Sequence, residues 1–183
     1  EAAPTEAIRI EVSDDGVATV SLDRPEVYHA FDSVMCGELS SFWERIKTDD
    51  DVRCVILTAT GSKAFCTGID RNGFDDEGFD YDPFTFSDPG NQLGPKSNGC
   101  WKPVIGAVNG MACGGAFYML GECEFLIAAD HATFFDPHVT YGMPAVYEPT
   151  LMSYRMPYGE VMRMSLLGTA EHLTAHRAHE IGL

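Results

Sequence analysis

An α/β fold is expected for this chain, on three observations. The runs CVILTA (Cys54 to Ala59), VIGAV (Val104 to Val108) and FLIAA (Phe125 to Ala129) are short, apolar and β-branched, as strands buried in a parallel sheet are. Helical patterns separate them, and strand, helix and strand in rotation imply α/β layers rather than a bundle or a sandwich. Glycine-bearing turns follow the first two runs, where an open α/β sheet offers its ligand crevice.

Each element has its own local cause. Ile8, Ile10 and Val12 alternate with polar residues, and Val20 and Leu22 resume the rhythm after Asp14, Asp15 and Gly16, which predicts a β-hairpin. Pro25 breaks any strand in DRPEVYHAFDSV. From Ser33 the spacing Met35, Leu39, Phe42, Ile46 predicts an amphipathic helix that Asp32 or Ser33 caps, ending at Asp49, Asp50 and Asp51. Between Asp70 and Asp88 seven acidic residues mix with aromatics and glycines without periodicity, so residues 71–100 are read as an irregular acidic insertion. From Pro149 to Leu183 short helices are expected, interrupted by Pro157, Gly159 and Gly168, and the final Ile-Gly-Leu reads as a helix end turning into a strand.

With 183 residues, 45% of them hydrophobic, residues 1–183 suffice for one core domain. The first residue is not Met and the last are apolar, so a longer polypeptide is expected to surround this stretch. No apolar run approaches the roughly 18 residues of a membrane span, and EAAPTEAIRI lacks the pattern of a signal peptide, which makes a soluble, cytoplasmic protein the expectation. The six cysteines contain no CxxC pair and sit largely in apolar runs, as reduced core thiols do. A formal net charge of −16 argues against nucleic acid and anionic membrane as partners, because both are held mainly through Lys and Arg. Any polyanionic ligand must then rely on a few local cations and on backbone donors.

The two turns carry the chemistry. GSKAFCTGIDR (Gly61 to Arg71) follows the first strand run, and NGMACGGAF (Asn109 to Phe117) follows the second. Gly114 and Gly115 lead into a helical pattern whose free N–H groups and dipole favour developing negative charge. Paired backbone donors converging on one carbonyl oxygen serve acyl transfer, enolisation and conjugate addition alike. Either turn alone is better explained as glycine making a tight bend. The motifs GxxxxGK[ST], GxSxG and HExxH are absent, which removes the P-loop, hydrolase-elbow and zincin readings. His172, His176 and His179 can share a helical face, but a solvated face explains them better than a metal site.

Taken in order, DRPEVYHAF, AFCTGIDR, KPVIGAVNGMACGGAF and CEFLIAADHATFFDPHVTYGMP resemble the successive signatures of the enoyl-CoA hydratase/isomerase (crotonase) family. The resemblance covers most of the chain. It implies a crotonase-like (ClpP/crotonase) spiral of ββα units without its C-terminal helical segment, assembled as a homotrimer or homohexamer, with an acyl-CoA or enoyl-CoA as substrate and no separate cofactor or metal. Matched position by position, it implies oxyanion donors at the N–H groups of Ile69 and Gly115. It further implies a CoA site lined by Val27, Tyr28 and His29, with Ala64, Cys66, Gly68 and Asp70 closing over it and Gly114 beside it. Arg24 and Lys63 are the nearby cations, able to meet phosphate or simply to be solvated.

The match departs from the family at its two hydratase glutamates, whose positions hold Tyr118 and His138. Water addition needs one group to take a proton from water and another to give one to the α-carbon. His138 can act as a base near neutral pH and Tyr118 can donate; Tyr118 also reads as a core-edge aromatic. Glu148 is the only carboxylate of the loop GMPAVYEPTLMSY. A Glu before Pro often serves a helix N-terminus, yet here its neighbours are apolar, so desolvation with a raised pKa makes it the candidate acid/base. Asp136 is a weaker one. The resulting expectation is an acyl-CoA-processing enzyme that stabilises a thioester enolate. The alternatives are a non-catalytic CoA-thioester-binding or scaffolding member and a CoA-thioester hydrolase.

Overall fold

Alternating burial sets the first pair of strands in the computed structural model, which describes residues 6–73 and 88–183. Strands β1 (Ile8–Val12) and β2 (Val17–Leu22) form the expected antiparallel hairpin, with Ile8 opposite Leu22 and Val12 opposite Ala18. Gly16 turns it at φ +82°, where a Cβ would stand 2.7 Å from the Asp51 carbonyl oxygen. β2 then pairs in parallel with β3 (Cys54–Ala59), β3 with β5 (Val104–Val108), and β5 with β7 (Phe125–Ala128). The outcome is a five-stranded sheet in the order β1-β2-β3-β5-β7.

A second sheet supplies the other strand of each ββα unit that the resemblance implies, although no periodicity in the sequence marks it. Its strands β4 (Ala64–Cys66), β6 (Met111–Cys113), β8 (Thr133–Phe135) and β9 (Leu173–Thr174) have two or three residues each, too few to show a period. The chain leaves β3, β5 and β7 of the first sheet and runs at once into β4, β6 and β8 of the second, so each unit contributes one strand to both layers. The two glycine turns therefore follow β4 and β6, not β3 and β5 directly. Because β4 and β6 are parallel neighbours, with Ala64 opposite Met111 and Cys66 opposite Ala112, both turns emerge side by side at one end of that pair.

Helix α1 (Ser33–Ile46) is capped by Asp32, whose side chain accepts from the Met35 N–H at 2.9 Å. It buries Met35, Cys36, Leu39, Phe42, Trp43 and Ile46, adding two residues to the expected stripe. Burial of each large side chain is worth about 1.5–3 kcal/mol. Trp43 also donates Nε1–H to the Leu93 carbonyl at 2.9 Å. Of the expected insertion 71–100, residues 74–87 lie outside the described residues. Its second part packs inward: Leu93 and Cys100 are fully buried, and Asp88 caps a 3₁₀ turn at Pro89–Gln92.

Helices α2 (Ala116–Glu122), α3 (Tyr147–Met152), α4 (Tyr158–Leu167) and α5 (Ala175–Glu180) complete the chain. Three local expectations change. Gly159 does not interrupt a helix but lies in the first turn of α4, after Pro157. Ile-Gly-Leu forms a turn, Leu183 N–H donating to the Ala178 carbonyl, and no strand. FLIAA does form strand β7, the last of its sheet, yet Phe125 and Ile127 are 53% and 56% exposed. The six cysteines are free, five buried and Cys54 half-buried. Among the described residues no helix is long and apolar enough to cross a membrane.

Candidate active site

Close backbone contact between the two glycine turns builds the site. Gly68 adopts φ +88°, and a Cβ there would stand 3.2 Å from the Gly115 nitrogen. At Gly115 a Cβ would lie 2.4 Å from Cε1 of Phe31, so only glycine fits over that ring. Phe31 also braces the first turn through a backbone bridge in which its N–H donates to the Gly68 carbonyl at 2.9 Å and its carbonyl accepts from Asp70 N–H at 2.8 Å. That bridge uses the residues on either side of Ile69 and directs the Ile69 N–H away. Gly115 is the N-cap of α2, so its own N–H lies ahead of the hydrogen bonds that open the helix. Among the described residues neither the Ile69 nor the Gly115 N–H has a backbone partner.

Both turns face a cavity of about 800 Å³. Gly68, Ile69, Gly114 and Gly115 line it together with Tyr118, Asp88, Pro137, His138, Met143 and Glu148. Tyr28, Phe31 and Thr67 continue the lining. Thus all five residues expected to be catalytic, Ile69, Gly115, Tyr118, His138 and Glu148, share one cavity.

The proton-bearing groups are tightly arranged. Glu148 enters from the first turn of α3 and is 4% exposed. Its Oε1 lies 3.5 Å from Nε2 of His138. Burial raises the Glu148 pKa above the usual carboxylate range, outweighing the attraction of His138. On the far side of the ring, His138 Nδ1 lies 2.5 Å from Oδ1 of Asp136 and, facing a carboxylate, carries the proton. The same Asp136 oxygen accepts the His138 backbone N–H at 3.1 Å. This hydrogen bond raises the His138 pKa against the opposing effect of burial, with Glu148 adding further attraction. Asp136 is almost completely buried, and its other oxygen, Oδ2, has no hydrogen-bond partner. Tyr118 is held as a neutral phenol: burial, then the nearby Glu148 and Asp88, push its pKa far above the ordinary value.

The expected CoA-facing residues divide. Tyr28, Gly68 and Gly114 line the cavity, whereas Val27, Ala64, Cys66 and Asp70 do not. Ala64 and Cys66 point into the core. His29 is buried as well, its Nδ1 accepting from Arg24 N–H at 3.0 Å and its Nε2 lying 3.0 Å from the Thr60 carbonyl, and burial lowers its pKa. Arg24 is not left for phosphate: its guanidinium meets Asp32 and Asp70, each at 3.0 Å, and the Ala30 carbonyl. Lys63 is exposed. His172 lies outside α5 and stacks on Phe135 at 3.9 Å, so the three late histidines do not share a helical face.

Two features of the site escape a reading of the sequence. The bracing by Phe31 is a contact between residues far apart in the chain and leaves no local signal. Arg71 lines the cavity with its guanidinium 4.4 Å from the centre of the Tyr141 ring. Its place in the chain, directly after Asp70, was the available hint.

Residues 13–183 match the sequence model of the enoyl-CoA hydratase/isomerase family. The chain is 33% identical over 177 residues to an (E)-benzylidenesuccinyl-CoA hydratase of Thauera aromatica, across 96% of this chain and 67% of that protein. It is 33% identical to a 1,2-epoxyphenylacetyl-CoA isomerase of Escherichia coli, across 92% of this chain and 64% of the relative. A crystal structure of an enoyl-CoA hydratase/isomerase from Mycobacterium paratuberculosis superposes with a TM-score of 0.87 at 34% identity, covering 98% of this chain and 69% of that one. The chain thus spans about two thirds of the length of these relatives. With both sheets, the paired glycine turns and the sequence in agreement, this chain belongs to the enoyl-CoA hydratase/isomerase family, the crotonase family.

Proposed function

We propose that the protein is an acyl-CoA-processing enzyme that stabilises a thioester enolate between the N–H groups of Ile69 and Gly115 and moves the α-proton with Glu148. The observation that carries this reading is the buried Glu148 carboxyl, 3.5 Å from His138, in the same cavity as two N–H groups that lack backbone partners among the described residues. A thioester oxygen held by those donors gains charge as the enolate forms, and preorganised donors stabilise the enolate more than the ground state.

A raised pKa suits Glu148 to both directions of transfer, accepting the α-proton as carboxylate and returning it as acid. His138 is the adjacent proton reservoir. With its Nδ1 proton engaged by Asp136, it presents Nε2 to Glu148. When Glu148 takes a proton, His138 Nε2 can release its own to a water or to the substrate, which balances the charge of the pair. Tyr118, held neutral, acts as a hydrogen-bond donor. Hydration adds water oxygen at the β-carbon and a proton at the α-carbon, whereas isomerisation removes a proton from one carbon of the acyl chain and returns it to another; each passes through its own enolate, with the same negative charge on the thioester oxygen. The relatives bearing hydratase and isomerase names fit either outcome.

The same reading includes a cytoplasmic enzyme that needs no cofactor beyond its CoA thioester, assembled as a homotrimer or homohexamer. Support for assembly comes from the apolar Phe125 and Ile127 side chains, which lie open on the last strand of the first sheet.

Full-length protein incubated with enoyl-CoA and acyl-CoA thioesters in deuterated water tests the proposal. Deuterium is expected at the α-carbon, and Glu148→Gln is expected to slow exchange by about 100-fold or more while thioester binding persists. Binding without exchange or turnover in the unmodified protein makes it a non-catalytic binder. Exchange at an unchanged rate in Glu148→Gln removes Glu148 from the mechanism.

A further inference from the structure

We propose that Arg71 makes this site selective for an acyl chain that itself carries a carboxylate, so that the substrate is the thioester of a dicarboxylic acid. The proposal rests on the reading above that the cavity holds a CoA thioester.

Charge is the first argument. In a chain of net charge −16, with Asp88 and Glu148 in the cavity wall and His138 already engaged between Asp136 and Glu148, an anionic acyl group would be repelled unless a further cation met it. Among the described residues lining the cavity, Arg71 is the one Lys or Arg. The neighbouring Asp70 does not neutralise it, being engaged with Arg24 at 3.0 Å and with the Asn72 N–H at 3.1 Å.

Geometry is the second. The Arg71 guanidinium sits 4.4 Å from the Tyr141 ring centre. An aromatic ring against the guanidinium restricts its orientation while the N–H donors around its rim stay open to an acceptor, and their fork matches a carboxylate in two parallel hydrogen bonds.

Position is the third. Arg71 lies two residues beyond Ile69, and Tyr141 three residues beyond His138. Their contact therefore joins the turn that would face the thioester oxygen to the turn that bears a proton-moving group. The α-carbon must face Glu148 and His138, so the acyl chain leaves the carbonyl toward that side. Two residues span at most about 7 Å, the reach of a chain of a few carbons.

A phosphate of CoA is the other anion that an arginine could meet, and the test separates the two. Full-length protein and its Arg71→Gln and Arg71→Lys variants are titrated calorimetrically with glutaryl-CoA, with the CoA thioester of its neutral terminal amide, and with the phosphate-free pantetheine thioesters of the same two acids. The carboxylate chain is expected to bind about tenfold or more tightly than the amide in both series. Arg71→Gln should bring that ratio near one with amide binding changed by less than about twofold, and Arg71→Lys should keep part of it. An unchanged ratio in Arg71→Gln, or no preference in the unmodified protein, overturns the proposal. Weakening of both CoA thioesters with neither pantetheine thioester affected also overturns it, and assigns Arg71 to phosphate. If the unmodified protein binds no thioester at all, the functional reading falls first and this proposal with it.

Discussion

At the scale of single residues, Asp136, His138 and Glu148 form a line of three groups whose charges depend on one another. Asp136 raises the His138 pKa above its ordinary 6.5, so the protonated ring contributes stability that is complete below about pH 6.5. That contribution is lost as the pH rises through the elevated folded value. Glu148 acts in the same direction: raised above its ordinary 4.5 by burial, its carboxyl loses its proton in the fold less readily than in the unfolded chain. Asp88, Asp136 and Tyr118 are the other titratable groups close to this pair. The melting temperature is therefore expected to fall as the pH rises above the ordinary histidine value of 6.5, and His138→Gln should flatten that fall. A variant that melts with the same slope as the unmodified protein would remove His138 from this account.

At the scale of elements, one residue serves two neighbours. Asp32 caps α1 through the Met35 N–H and also pairs with Arg24, which in turn ties Asp70 beside the cavity. Asparagine caps a helix as well as aspartate does, while alanine does not. Asp32→Ala is expected to destabilise by about 1–2 kcal/mol in urea unfolding, and Asp32→Asn by distinctly less, because Arg24 keeps Asp70. Equal losses would mean that the ion pair, and not the cap, carries the effect. The glycine turns show the complementary logic. Gly68 and Gly115 are flanked by apolar and small residues that look like ordinary bends, and what demands glycine is the approach of Phe31 and of the facing backbone.

At the scale of the whole molecule, 28 acidic against 12 basic side chains leave a surface under self-repulsion. Added salt shortens the range of that repulsion from about 10 Å at 0.1 M to about 3 Å at 1 M. Raising sodium chloride from about 0.05 to about 0.5 M is expected to increase the melting temperature by about 2–4 °C, the shift that about 1 kcal/mol produces in a chain of this size. A melting temperature that fell with salt would indicate that pairs such as Arg163 with Glu171 and Arg177 with Glu160 outweigh the net repulsion.

By itself the sequence determined the elements whose period is long enough to read: the hairpin β1–β2, the helix α1 with its Asp32 cap, and the strands β3, β5 and β7. It also determined the glycine turns and the residues that meet around them, because motif order along a chain survives folding. The second sheet was settled only by tertiary structure, since strands of two or three residues carry no period and exist through pairing with their neighbours. The exposure of β7, the diversion of Arg24 into the scaffold, and the placement of Arg71 against Tyr141 likewise depend on what each residue meets across the fold. For Glu148 the sequence supplied an apolar neighbourhood. Its burial, its raised pKa and its contact with a His138 already held by Asp136 required three dimensions, because a pKa is set by surroundings that the chain assembles from distant parts.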